Sequence, residues 1–159
     1  MKILKWIIVV LAILFACIQL IRPAKTNPAI DESRTISARL NVPPDVTNIL
    51  ERSCQDCHSN KTVWPWYSQL APVSWLLVSD VNEGRSHLNL SDWASYDATR
   101  APRKLDQMCE QVDHSEMPLW FYVPLHPKSR LSDDDKKILC DWTKKVRETM
   151  PAPVSKASQ

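Results

Sequence analysis

Apolar residues recur at helical spacing along most of the chain. After Pro44, apolar positions three and four apart predict a helix that runs into a pair of cysteines. Pro72 predicts the start of a second main helix, Pro102 of a third, and Ser132 with Asp135 resembles a capping box for a fourth. The predicted apolar faces comprise Val46, Ile49 and Leu50; Val73, Leu76, Leu77 and Val81; Leu105, Met108, Cys109 and Val112; and Ile138, Leu139, Trp142 and Val146. No strand pattern competes, so the sequence predicts an all-α fold.

The N-terminal segment has the charge order of an export signal. Lys2 and Lys5 precede an uncharged run over residues 6–21, which Arg22 and Pro23 close. A basic region followed by an apolar run is typical of a secretory signal or a signal anchor. Because no Ala-x-Ala site follows the run, we expect an uncleaved transmembrane anchor, with a cleaved signal peptide as the alternative.

Composition divides the chain into the N-terminal signal, a spacer, one domain and a tail. Residues 1–22 are the predicted signal, and residues 23–42, rich in Pro, Thr and Ser without sustained periodicity, are a predicted spacer. The domain is expected over residues 43–148, followed by a C-terminal tail over residues 149–159.

Composition also excludes several classes of protein. The chain has 159 residues with 12 prolines and a single glycine, Gly84, so phosphate-cradling loops and tight hairpins are disfavoured. The net charge is +2, and three of the 20 basic residues belong to the signal, which leaves 17 against 18 acidic residues. This nearly equal number of basic and acidic residues does not indicate nucleic-acid binding.

The chemistry of the chain centres on Cys54-Gln55-Asp56-Cys57-His58. Two cysteines one helical turn apart direct both thiols toward the same side, where they can add to the two vinyl groups of a haem. His58 follows at once and can bring a ring nitrogen to the iron. The motif therefore predicts one covalently attached haem with His58 as an axial ligand.

Other interpretations of the cysteine pair remain open. A thioredoxin-like redox pair requires a βαβ context that the pattern lacks, and a zinc site would need Cys109 and Cys140 as further ligands. A structural disulfide within the pair is the third alternative.

The iron needs a sixth ligand or an open site. The candidates are Met108, Met117, Met150, His87, His114 and His126. We favour Met117, because Pro118 disfavours helix at that residue and leaves an extended chain that can lay a thioether over the haem. His126, which also precedes a proline, is the second choice, and a helix-end packing role is the alternative for Met117.

Several blocks around the motif carry a family resemblance. They are Cys54-x-x-Cys57-His58-Ser59-Asn60, Trp64-Pro65-Trp66-Tyr67, Ala71-Pro72-Val73-Ser74-Trp75, Gly84-Arg85, Leu88-Asn89, Glu116-Met117-Pro118, and Tyr122 with His126-Pro127. From Asp45 to about Val146 the chain resembles the bacterial haem-binding domain family of cytochrome c type. The resemblance implies one haem c, with thioether bonds to Cys54 and Cys57, the proximal ligand His58, and Met117 at the distal position. It implies no catalytic residue.

The aromatic blocks also have a physical interpretation. A porphyrin pocket needs an apolar wall that excludes water, which can be formed by Trp64, Trp66, Tyr67 and Trp75. Arg85 can pair with a haem propionate. The alternatives are an ordinary aromatic core and a solvated surface arginine.

Together these features predict a small cytochrome c-like helical domain wrapped around one haem and preceded by an N-terminal transmembrane or signal helix. We expect a non-enzymatic carrier of single electrons on the periplasmic side of the bacterial inner membrane. Its expected contacts are redox partner proteins and, through the N-terminal helix, the membrane. One alternative is a haem enzyme or a gas or redox sensor with a labile sixth ligand, and another is a structural zinc or disulfide module.

Two further cysteines of the predicted domain remain once the motif is set aside. Cys109 and Cys140 lie on apolar faces of the third and fourth predicted helices, and export permits oxidation. We therefore predict a disulfide between them, with two buried free thiols as the alternative.

Overall fold

The computed structural model describes residues 1–150, and within them the chain is helical without a β-strand. The predicted all-α class is thereby confirmed. From residue 151 onward, the predicted tail lies outside the described residues. Residues 1–150 form seven α-helices: α1 Lys2–Ile18, α2 Ile36–Arg39, α3 Pro44–Ser53, α4 Gln55–His58, α5 Val73–His87, α6 Arg100–Asp113 and α7 Asp133–Thr149. Short 3-10 helices cover Glu32–Arg34, Trp66–Gln69, Leu90–Ser95 and Pro127–Ser129.

The helix-start signals place the main helices correctly. Helix α5 begins directly after Pro72, and α6 begins two residues before Pro102. Helix α7 opens with a complete capping box. In it Asp135 N donates to Ser132 Oγ at 3.1 Å, and Ser132 N donates to Asp135 Oδ2 at 2.8 Å. The reciprocal bonds satisfy two backbone N–H groups that no helical carbonyl can reach, which fixes the first turn.

The first predicted helix is interrupted at Cys54. Helix α3 ends at Ser53, Cys54 adopts φ −123° and ψ −35°, and the single turn α4 follows. Backbone bonds continue across the break, because Cys54 N donates to Leu50 O at 3.0 Å and His58 N donates to Cys54 O at 2.9 Å. The periodicity of apolar residues continues through this point, so the pattern alone could not reveal the break.

The hydrophobic core lies where α3, α6 and α7 meet. Leu105 and Leu139 are completely buried between α6 and α7, and Trp142 Nε1 donates to Asn41 O at 3.0 Å. A disulfide joins α6 to α7, with Cys109 and Cys140 Cα atoms 4.8 Å apart. The core comprises Ile36, Val46, Ile49, Leu50, Leu90, Trp93, Ala101, Leu105, Met108, Val112, Leu139 and Trp142.

Part of the predicted spacer is folded onto the domain. Ile36 of α2 is only 4% exposed and belongs to the core. Arg34, just before α2, forms an ion pair of 2.7 Å with Asp92. A helix of four residues is too short to produce a periodic pattern, so the sequence did not reveal this packing.

Helix α1 is exposed along almost its whole length, and it contributes no buried residue. Within residues 1–150, no helix combines the length and the apolar character needed to cross a membrane. The transmembrane helix expected from the sequence is therefore not supported.

Candidate functional site

The cysteine motif lies at the break between α3 and α4. Cys54 and Cys57 are both free thiols and both partly buried. Burial raises the pKa of Cys54 to about 12 and that of Cys57 to about 11. Both side chains are therefore protonated thiols near neutral pH.

His58 is held in one tautomer by the backbone of α5. Its Nδ1 lies 2.9 Å from Gly84 O and 3.1 Å from Leu88 O. Because both carbonyls only accept hydrogen bonds, Nδ1 carries the proton and the lone pair resides on Nε2. Burial lowers the pKa of His58, which favours the neutral ring. A neutral imidazole with its second nitrogen bound to a carbonyl is the arrangement of metal-ligating histidines.

Gly84 allows α5 to approach the motif. A Cβ atom at this position would lie 2.7 Å from Cys57 O and 3.2 Å from Cys57 Cβ. Any larger residue would therefore push the motif away from α5. The single glycine of the chain thus brings a carbonyl within reach of His58 Nδ1.

The guanidinium of Arg85 is hydrogen-bonded within the chain, and its pairing with a haem propionate stays a prediction. Its Nε donates to Ser59 O at 2.7 Å, one terminal nitrogen donates to Thr26 O at 2.8 Å, and the other lies 2.9 Å from Asn27 Oδ1 and 2.8 Å from Thr62 Oγ1. These four bonds fasten the segment after the motif to the predicted spacer. Sequence reasoning missed this role because the partners are distant in the chain.

Asp56, between the two cysteines, binds a tyrosine that lies 66 residues later in the chain. Its Oδ2 accepts a hydrogen bond of 2.8 Å from Tyr122, and its Oδ1 accepts one of 3.0 Å from Val63 N. Burial and the Asp56 carboxylate raise the pKa of Tyr122. No sequence signal marked Asp56, because a carboxylate inside the motif has no predictable partner.

Tyr67, Tyr122 and His126 form a cluster beside this carboxylate. The Tyr122 and His126 rings stack with centroids 3.8 Å apart. His126 Nε2 lies 3.2 Å from Tyr67 Oη, and His126 Nδ1 lies 3.2 Å from Tyr122 O. Both ring nitrogens of His126 thus have protein partners, so iron ligation by His126 would require loss of the Tyr67 bond.

The tryptophans expected to form a wall are in different environments. Trp64 Nε1 is buried, as is Ser68 Oγ, and neither atom has a hydrogen-bond partner among residues 1–150. Trp66 is 75% exposed and packs edge-on against Tyr67. Trp75 Nε1 donates to Ile21 O at 2.8 Å, which places this residue beside the N-terminal segment. Its part in a haem wall stays a prediction.

Met117 follows α6 and is partly buried at the edge of the core. Its backbone N donates to Gln111 O at 3.1 Å, and its side chain packs against the core that Cys54 also borders. Of the other candidates, Met108 is a buried core residue and His87 is an exposed partner of Glu83 at 3.7 Å.

The zinc alternative is not supported. Cys109 and Cys140 are consumed by their disulfide, so they cannot join Cys54 and Cys57 around one ion. Among residues 1–150, no group of three or more His, Cys, Asp or Glu side chains is placed to hold a metal ion.

The residues present fit a haem. Two adjacent thiols can bond its vinyl edge, and the oriented His58 can ligate its iron. The buried, unpartnered N–H of Trp64 is the kind of donor that a propionate would satisfy, since buried polar groups are normally paired. The fold and the site thus define a small all-α domain of the haem-binding class.

Sequence comparison identifies the family. The model of the haem-binding domain family matches residues 13–145, which is most of the chain. The chain belongs to this family and is a haem-binding protein. No curated protein and no solved structure shows a significant match.

Proposed function

We propose that this chain is a c-type cytochrome that holds one covalent haem and carries single electrons. The observation that carries the proposal is the tautomer of His58, which Gly84 O and Leu88 O hold with Nε2 unprotonated, next to two free thiols. A ligand with this orientation beside two thioether donors is the attachment unit of c-type haem.

Cys54 and Cys57 would hold the haem through two thioether bonds. Each bond would be the net addition of one S–H group across one vinyl C=C bond, with the sulfur on one vinyl carbon and the hydrogen on the other. The additions are redox-neutral and release nothing, and both depend on thiols that are not already oxidised to each other, as is the case here.

We propose that Met117 would be the second protein ligand of the iron. When bound, the haem supplies an iron that cycles between two oxidation states. A thioether ligand favours the ferrous state relative to a second imidazole and leaves no open site for substrate. The support is the partial burial of Met117 at the edge of the core that Cys54 also borders.

We further propose that the domain acts on the exported, periplasmic side of the membrane with redox proteins as partners. Lys2 and Lys5 before the apolar α1 support an export signal. The Cys109–Cys140 disulfide agrees with an oxidising compartment.

Covalent attachment is tested by haem staining after denaturing electrophoresis, in cells that mature c-type cytochromes. The wild-type band should stain, Cys54→Ala with Cys57→Ala should not, and Cys17→Ala should stain as wild type, because Cys17 is an exposed free cysteine outside the motif. Loss of all haem from the wild type on acid-acetone extraction would refute attachment.

The axial ligands are tested by the ferric absorption spectrum. The near-infrared band of sulfur ligation should be present in the wild type and in His126→Ala, and absent in Met117→Ala. If the band is absent from the wild type and carbon monoxide binds the reduced protein readily, the sixth site is labile. The sensor or enzyme alternative would then replace the electron carrier.

A further inference from the structure

The chain between α1 and the domain is fastened to the domain surface. Gln19, at the end of α1, forms two hydrogen bonds with the backbone of Ala71, at 2.9 Å and 3.1 Å. Further bonds run from Trp75 to Ile21, Lys25 to Ser68, Asn27 to Thr62, and Arg85 to Thr26 and Asn27. The end of α1 therefore has a fixed position relative to the start of α5.

An apolar patch lies beside this fixed point. Leu70, Val73 and Leu76 are between 43% and 53% exposed, and they flank the residues that bind Gln19 and Ile21. Leu20 and Ile21 are 83% and 63% exposed. The apolar surface of α1 thus continues onto the domain, through the patch formed by Leu70, Val73 and Leu76.

The charges on the α1 side of this surface are basic. The chain has no acidic residue before Asp31, whereas Lys2, Lys5, Arg22 and Lys25 flank or follow the apolar run. Basic residues next to exposed apolar residues are complementary to the anionic headgroups of a bilayer. The first acidic residue of α5, Asp80, follows Leu76 by one helical turn, on the side of the patch away from α1.

We propose that the patch of Leu70, Val73 and Leu76 is a lipid-binding surface that orients the domain on an anionic bilayer. Helix α1 enters the apolar layer without crossing it, Arg22 and Lys25 lie at the headgroups, and the patch contacts the interface next to them. Because the Gln19 bonds hold the end of α1 against Ala71, just before α5, insertion of α1 brings the patch to the membrane. The proposal rests on the export proposed above, and it adds a second contact that belongs to the domain itself.

Amide hydrogen exchange of the full, haem-loaded chain tests this surface. The probes are vesicles of phosphatidylcholine alone and of phosphatidylcholine mixed with phosphatidylglycerol. With the mixed vesicles, exchange over residues 70–77 should slow by about tenfold, whereas exchange over residues 120–126 stays unchanged. The effect should weaken with phosphatidylcholine alone.

Two matched variants separate this contact from binding by α1. Val73→Asp should abolish the protection of residues 70–77 while residues 1–21 stay protected. Leu125→Asp introduces the same charge at an exposed leucine outside the patch and should leave both regions protected. If wild-type protection is confined to residues 1–21, the patch does not bind lipid and the proposal is overturned. The haem stain is independent of this outcome, so failure here leaves the proposed attachment intact.

Discussion

Replacing Gly84 by alanine tests the close approach between α5 and the motif. The added Cβ would lie 2.7 Å from Cys57 O, a backbone atom that cannot move without moving α4. Overpacking at a rigid contact costs about 2 to 3 kcal/mol, whereas replacing glycine in a helix interior gains about 1 kcal/mol. We therefore expect the free energy of unfolding to fall by about 1 to 2 kcal/mol in Gly84→Ala.

Urea unfolding followed by far-ultraviolet circular dichroism measures this change. The matched control is Ser79→Ala, an exposed position in the same helix, which should be neutral or slightly stabilised. Displacement of α4 should also lengthen the bond from His58 Nδ1 to Gly84 O, now 2.9 Å, and shift the haem absorption bands. If Gly84→Ala is more stable than wild type, helix propensity alone is acting and the close contact is absent.

Three further predictions follow from individual contacts. Arg85→Lys cannot retain all four hydrogen bonds and should lose about 1 to 3 kcal/mol of unfolding free energy in urea, whereas Arg103→Lys, at an exposed site, should be unchanged. Replacing both Cys109 and Cys140 by alanine removes the cross-link between residues 31 apart in the chain and should lower the free energy of unfolding by about 3 to 4 kcal/mol. A double variant as stable as the wild type would show that the disulfide contributes nothing. Burial raises the pKa of Asp135, but bonds from Arg52 and Ser132 outweigh it and hold the pKa below its ordinary value. That stabilisation is present above about pH 4 and lost as the pH falls through the folded pKa, so Asp135→Asn should flatten the acid limb of thermal stability between these limits.

The start signals of the helices were predictable because they act locally. Ser132 and Asp135 are three residues apart, and Pro72 fixes the backbone at its own position, so a short stretch of sequence contains the whole cause. The all-α class and the haem motif were predictable for the same reason. Cys54 and Cys57 with His58 are contiguous, and their chemistry depends on one turn of backbone.

Contacts between distant segments were not predictable. Arg85 binds Thr26 and Asn27, 59 and 58 residues away, and Tyr122 binds Asp56 across 66 residues. The sequence around an arginine does not indicate which distant residue will accept its hydrogen bonds. Trp75 shows the same limit, because its N–H donates to Ile21 O, 54 residues away in the chain.

The central claim is that one haem is bonded to Cys54 and Cys57. Intact mass spectrometry of the denatured chain, purified from cells that mature c-type cytochromes, measures this directly. The mass should exceed that of the polypeptide by one haem, and the excess should disappear in the Cys54→Ala, Cys57→Ala double variant. A denatured wild-type chain with the mass of the bare polypeptide, from a preparation that showed haem absorption before denaturation, would contradict covalent attachment.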